Sequence, residues 1–331
     1  MEAQGVEIQV KGKAVAVPSV MIDGRTVIVT GKWLKTAIVQ DEDFLEGQVV
    51  DKPEMFVGKL KESGIAADVF SFTQKLPRVK PRFMHYFEWD NVAAIPLFTY
   101  EEWWDKQISG DLRKDIRRSE KRGVVVKTVP FTDEFVRAIM EIYNDNPIRQ
   151  GRTFWHYGKD FDSVKRENAT YLSQSEFIAA YYNDEPIGFI KVVFLGDLAC
   201  LMQIISKASH HDKWPTNALI AKAVEVSVSR ECSYLTYGKY DYGKKTKSTL
   251  ADFKRRNGFE RILVPRYFVP LSAKGKLAMA LGLHRGIKNV IPSFLLDLMA
   301  RMRSRRVAQK VTPSKPDKQL EINASDASIP R

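Results

Sequence analysis

An α/β fold is predicted for this chain by three observations. The first hundred residues mix short β-type runs with one helical stretch. Residues 124–271 then alternate strand and helix patterns in a fixed order. Apolar residues make up 44% of the sequence, enough to fill real cores and to exclude a disordered chain. At 331 residues, the length favours two units over one.

The elements follow in chain order. Runs at 7–10, 26–30 and 91–98 read as strands, and 53–63 reads as a helix, because Pro53 is tolerated in a first helical turn. From Tyr100 the pattern becomes helical, with Leu112, Ile116 and Ser119 recurring among Arg113, Lys114, Arg117, Arg118, Lys121 and Arg122 until Gly123 stops it. A strand at 124–129 precedes a helix at 132–145, capped by Thr132, with Phe135, Ile139 and Ile142 on one face. Strands at 176–182, 187–195 and 198–206 form an antiparallel meander whose first turn is Asn183-Asp-Glu-Pro186. After a loop come a helix at 215–231, a strand at 234–237, a helix at 249–257 ended by Gly258, and a strand at 259–271. The expected organisation is an N-terminal half (1–110), a basic connecting helix (111–123), a C-terminal domain (124–271), an amphipathic basic helical extension (272–303) and a disordered tail (304–331).

Composition narrows the function classes. A net charge of +12 creates a field that attracts phosphates, nucleic acid or anionic lipid headgroups. Cys200 and Cys232 lack Cys-x-x-Cys spacing and nearby His partners, so neither a disulfide framework nor a zinc site is expected. The start Met-Glu-Ala-Gln-Gly lacks the basic and apolar segments of a signal peptide, and no run approaches the ~18 apolar residues of a membrane span. A cytoplasmic protein is expected. The apolar and basic residues between Leu277 and Met302 fit either packing on the domain or peripheral contact with the inner leaflet of a membrane.

Four segments carry a family resemblance. Arg113-Lys-Asp-Ile-Arg-Arg-Ser-Glu-Lys-Arg-Gly-Val124, the strand pair 178–190 with Gly188 after its turn, Asn217-Ala-Leu-Ile-Ala-Lys-Ala223, and Leu250-Ala-Asp-Phe-Lys-Arg-Arg-Asn-Gly-Phe259 occur in the order and spacing of the GNAT superfamily. They resemble its doubled branch, the Fem-type (FemAB-like) aminoacyltransferases. The resemblance covers most of residues 100–271 and reaches the N-terminal half through 86–98 and the Trp103-Trp104 pair. It implies a tandem of two GNAT-like halves with a mixed, mostly antiparallel sheet. It also implies acyl or aminoacyl transfer to an amine, plausibly on a peptidoglycan or polysaccharide precursor, which is an anionic partner. The acyl donor is then an aminoacyl-tRNA or an acyl-CoA, with no permanently bound cofactor. One departure bears on the donor. Relatives that use acetyl-CoA grip its pyrophosphate with a Gln/Arg-x-x-Gly-x-Gly/Ala loop, whereas this chain reads Ala208-Ser-His-His-Asp-Lys-Trp-Pro-Thr-Asn217, without glycine.

Acyl transfer to an amine needs a base, donors for a tetrahedral oxyanion and cations for a phosphate handle. In Tyr237-Gly-Lys-Tyr-Asp-Tyr-Gly243, Asp241 is the candidate base and Tyr237 and Tyr240 are candidate hydroxyl donors, although the same Asp fits a turn cap. Lys254 and Arg255 suit a phosphate or equally a solvated helix face. His211 lies in the donor loop, where a histidine suits acid–base work or is equally a bystander. Asn217 fits a substrate contact or a helix N-cap. Glu88 and Asp90 sit among aromatics, where desolvation raises a carboxyl pKa. Trp155 and Arg152 lie in a long loop, 144–162, of the kind that forms substrate lids. Two further readings remain open: a CoA-dependent N-acetyltransferase acting on a small amine or sugar, and a non-catalytic RNA-binding protein.

Overall fold

A computed structural model of the chain describes residues 4–10, 13–43, 45, 50–149, 151–242 and 249–285. The N-terminal part is built from β1 (Gln4–Val10), β2 (Lys13–Ile22), β3 (Arg25–Thr30), β4 (Thr36–Val39), α1 (Pro53–Glu62), β5 (Val69–Thr73) and β6 (Tyr86–Pro96). A short helix α2 (Tyr100–Glu102) runs on as a π-turn through Gln107 into α3 (Gly110–Lys121). The C-terminal part follows with β7 (Val125–Val129), α4 (Asp133–Asn144), a small ribbon of β8 (Ile148–Arg149) and β9 (Arg152–Thr153), and α5 (Phe161–Asn168). It continues through β10 (Ser175–Tyr182), β11 (Glu185–Leu195), β12 (Leu198–Ser206), α6 (Pro215–Ser229), β13 (Tyr234–Thr236), α7 (Thr249–Arg256), β14 (Glu260–Pro270) and α8 (Ala273–Ala280).

Local chemistry fixes the joints. Ser109, Thr132 and Asp160 cap α3, α4 and α5 through side-chain oxygens that accept N–H groups of the first turn. Asn183 and Asp184 both take positive φ, the conformation a tight hairpin between β10 and β11 requires. Gly188 lies close under α6: a Cβ there would lie 3.0 Å from Ser206 Cβ and 3.1 Å from Leu219, so a side chain would force those neighbours to shift by a few tenths of an ångström.

The large sheet has twelve strands in the order β1-β2-β3-β4-β5-β14-β6-β13-β12-β11-β10-β7. That order reads alike from either end. Each half contributes four outer strands whose innermost member pairs parallel with the next strand across a helix: β4, α1, β5 on one side and β12, α6, β13 on the other. The centre is an exchange. β6, the last strand of the first half, pairs with β13 of the second, and β14, the last strand of the second half, pairs with β5 of the first. The N-terminal region thus mirrors the second half in strand order, and it holds strands (β2, β4 and β5) that its sequence does not announce.

Pleat alternation assigns the two faces. Tyr267 and Val269 of β14 pack with α1, and Ala93 of β6 packs with α6, all on one side. The intervening Val264 and Arg266 of β14 point to the other. On that opposite face α4 and α5 cover Phe177, Ala179 and Phe189. Fully buried aliphatic side chains such as Leu219, Ile220 and Ile190 each contribute about 1.5–3 kcal/mol to this packing. Residues 1–276 form one compact unit. Of the second, 277–331, the described part is the end of α8 and a turn at Leu283–Arg285, so most of the predicted amphipathic extension and all of the predicted disordered tail lie outside the described residues.

Candidate functional site

The sheet parts at two places. β4 is paired with β5 only over Thr36–Ile38, and β12 with β13 only over Leu198–Cys200. Beneath both partings, on the face away from α1 and α6, lies a cavity of about 1170 Å³. Its size exceeds the roughly 300–1,000 Å³ of a typical small-ligand pocket. The strand ends of both halves, the α4–α5 loop and β14 all line it.

One wall is a network of charges around Arg266. Its Nε donates to Asp90 at 2.7 Å, Nη1 to Glu42 at 3.3 Å and Nη2 to Asp43 at 3.0 Å. Lys239 Nζ donates to Asp90 at 2.9 Å. Glu42 also accepts the N–H of Thr73. Burial alone would raise the Asp90 carboxyl, but Arg266 and Lys239 outweigh it and hold the pKa at about 2. The sequence expectation for Asp90 is therefore reversed: the carboxylate is desolvated, yet its cationic partners keep it ionised. Glu88, two residues earlier on β6, accepts the Tyr86 hydroxyl at 2.9 Å.

The floor holds a different pair. Burial raises the pKa of Asp41, against a hydrogen bond from the Tyr171 hydroxyl at 3.1 Å and the charge of Lys191. Lys191 lies within β11, and burial lowers its pKa to about 8, with Asp41 opposing. Its Nζ donates to Asn168 O at 2.8 Å, to Thr170 Oγ1 at 3.0 Å and to Thr170 O. A carboxyl moved up and an ammonium moved down both approach neutrality, where proton transfer is easiest.

The third wall is aromatic. His156 is 6% exposed and stacks between Tyr143 (4.2 Å) and Trp155 (3.7 Å). Burial, then Lys159 and Arg149, push its pKa down to about 3, so the ring is neutral at physiological pH. Trp155, a predicted site residue, lines the cavity, with Lys159 Nζ 3.5 Å from its ring centre. Arg152 is placed only as part of β9, its side chain being outside the described set.

Of the other predicted residues, Tyr237, Tyr240 and Asp241 follow β13, Lys254 and Arg255 lie on α7, and His211 and Asn217 lie around the start of α6; none lines the cavity. Asp241 accepts Arg261 Nε at 2.6 Å, while its own N–H goes to Asn91 Oδ1 at 2.8 Å, which makes it a pinned structural carboxylate. Lys254 is 1% exposed and donates to the carbonyls of Tyr237 at 2.7 Å and Lys239 at 2.5 Å. Burial lowers its pKa to about 8, against Asp241. The expectation of a phosphate-facing Lys254 is corrected accordingly, since its ammonium clamps the loop. Burial raises Tyr237 to about 12 and also lifts Tyr240. Arg255 is exposed beside Asp252 at 3.7 Å. His211 is exposed in the loop before α6. Asn217 is not the cap of α6, because Trp214, at φ 49°, occupies that position with Pro215 next.

The same loop bears on donor choice. Asp145, at the end of α4, accepts the N–H groups of Ala208 (2.6 Å) and Ser209 (3.4 Å) and the Ser209 hydroxyl (2.5 Å). Pro215 removes a further N–H from the mouth of α6. The Ala208 and Ser209 N–H groups are thus both bonded within the protein. Among the described residues no group of three His, Cys, Asp or Glu side chains is placed to hold a metal ion, and no helix is long and apolar enough to cross a membrane.

Two βαβ units joined by exchanged strands into one mixed sheet define the class: a tandem GNAT-like α/β fold. No family model matches the chain, and no curated protein does. Among solved structures it is similar to FemX, with a TM-score of 0.53 and 10% identity over 85% of this chain and 90% of that one. Lower similarity links it to L-PGS from Bacillus licheniformis (TM-score 0.46, 12% identity, 73% and 80% covered). A tandem GNAT protein from the clavulanic acid biosynthesis pathway follows (TM-score 0.41, 9% identity, 78% and 83% covered).

Sequence reasoning missed Asp41, Lys191, His156 and Arg266. For Lys191 a signal existed, because it is the one cation of β11, set within the apolar run 187–195; Arg266 shares β14 with Arg261 and gave a weaker one. Asp41 gave none, since it follows a four-residue strand at positive φ.

Proposed function

We propose that the chain is an acyl or aminoacyl transferase that joins an acyl group to the amine of a cell-envelope precursor. The observation that carries this reading is the single cavity shared by both halves, with Asp41 on its floor beneath the parted strands. The acyl donor approaches from the α6 side, the amine occupies the cavity, and the two meet at the gap between β12 and β13. The amine nitrogen attacks the donor carbonyl as Asp41 accepts its proton. The ester bond then breaks, and the departing hydroxyl takes that proton back. The Fem-type resemblance and the occupied N–H groups of Ala208 and Ser209 favour an aminoacyl-tRNA over a CoA thioester as donor.

The test is transfer of a labelled acyl group from charged tRNA, or from acyl-CoA, to a soluble precursor peptide bearing a free amine. Transfer from charged tRNA, lowered roughly 10²–10⁴-fold by Asp41→Asn, is the expected result. Turnover with CoA thioesters alone would move the protein to the N-acetyltransferase class. Tight RNA binding without turnover of either donor would make it a binding protein.

A further inference from the structure

The cavity leaves the basic helix α3 unexplained. Its inner side, Leu112, Ile116 and Ser119, is buried, while Arg117, Arg118, Lys121 and Arg122 are exposed on the outer side. The C-terminal end of the helix lies on the loop that precedes α6. Arg122 Nη1 donates to the Asp212 carbonyl at 2.6 Å and to its carboxylate at 3.3 Å. The guanidinium groups of Arg122 and Arg118 sit 4.8 and 5.8 Å from the Trp214 ring centre, and that of Arg117 lies 5.4 Å from Trp104. Lys213 Nζ is 4.6 Å from the Tyr182 ring. The result is a plate of cations laid on aromatic rings beside the loop.

We propose that this plate docks the sugar–phosphate backbone of an RNA acyl donor, near the end that delivers its acyl group to the gap between β12 and β13. The proposal rests on the charged-tRNA reading above. Three features select RNA. A guanidinium lying over an indole still carries rim donors suited to phosphate oxygens; Arg122 and Arg118 share part of theirs with Asp212 and Asp115. The alternation of rings and cations suits backbone contact combined with base stacking. The apolar side of α3 is already buried, so the helix has no exposed apolar stripe to insert among lipids. Position matters as well, because Trp214 is the residue from which α6 starts, and the loop before it leaves β12 where that strand has parted from β13.

The experiment measures anisotropy of fluorescein-labelled tRNA, charged and uncharged, with the full chain from 50 to 300 mM KCl. Binding that weakens steeply with salt is expected. Arg117→Glu with Lys121→Glu should weaken it at least tenfold at 50 mM and reduce the slope of log affinity against log salt by about 1.5, the share of two phosphate contacts. The milder pair Arg118→Gln and Arg122→Gln should act in the same direction, with circular dichroism confirming the fold of both. Asp41→Asn should leave tRNA binding unchanged while lowering transfer, which separates this surface from the chemistry. Unchanged tRNA affinity and KM in both double variants, with wild-type transfer intact, would overturn the surface and leave the proposed function standing. Binding to phosphatidylglycerol vesicles in place of tRNA would overturn it in favour of a membrane. Transfer from CoA alone would remove both proposals.

Discussion

His156 makes the stability of this protein depend on pH. The imidazole is buried and neutral in the folded chain, with a pKa near 3, while an unfolded histidine titrates near 6.5. The unfolded state therefore binds a proton below pH 6.5 that the folded state refuses until about pH 3. Stability from this group is complete above pH 6.5 and is lost as pH falls toward 3. At pH 5 the loss is about 2 kcal/mol, the free energy of one and a half pH units below the unfolded pKa. For a protein of this size, that lowers the melting temperature by roughly 3 °C. The perturbation that isolates the effect is His156→Phe, since Tyr143, Trp155 and Phe154 already surround the ring with aromatic neighbours. Thermal and urea melts of both proteins at pH 7, 6 and 5 should show the wild type losing stability across the series and the variant losing about 2 kcal/mol less. Parallel loss in the two proteins would refute the argument, and so would a wild type that is flat between pH 7 and pH 5.

Three other outcomes follow from named contacts. Asp90→Asn should cost about 2 kcal/mol at pH 7, a contribution present above pH 3.8 and lost as pH falls toward 2, so urea midpoints of variant and wild type should converge in acid. Gly258→Ala should destabilise by roughly 1–3 kcal/mol in thermal melts, because φ there is +87° and the new Cβ would lie 3.1 Å from Trp103 Nε1, which itself donates to Asn257 O. Asp145→Ala releases two N–H groups and a hydroxyl from the loop before α6, and trypsin cleavage after Lys207 and Lys213 should accelerate at least tenfold, as expected for a local loss of about 1.5–3 kcal/mol.

Much of the C-terminal half was legible in its sequence, and the reason is local. The three strands β10, β11 and β12 announce themselves by turn chemistry at Asn183 and Asp184, and α6 by its proline start. The N-terminal half was obscured because β4, at four residues, is too short to register a period and β5, buried at all five positions, shows no alternation. Site residues divided on the same line. Trp155 was found because a long aromatic loop is visible in sequence. Asp241 and Lys254 stood out as polar groups in a promising loop, but bonds to Arg261, Asn91 and two carbonyls hold them in structural roles. The cavity itself depends on pairings between residues more than a hundred positions apart, such as Asp90 with Arg266 and Asp41 with Tyr171. Periodicity carries no record of those.

The exchange of β6 and β14 also governs how the chain must be made. On the ribosome the first five strands emerge long before residues 260–270, and until those arrive β5 lacks its neighbour and presents a bare edge. Neither half can be finished by its own sequence, so a polypeptide cut after α3 yields two fragments that each lack a central strand, and activity should return only when both are present together. A half exchanged for an unrelated one would arrive without the strand that its partner's sheet needs, so swapping halves, routine for proteins built as beads on a string, is closed to this architecture.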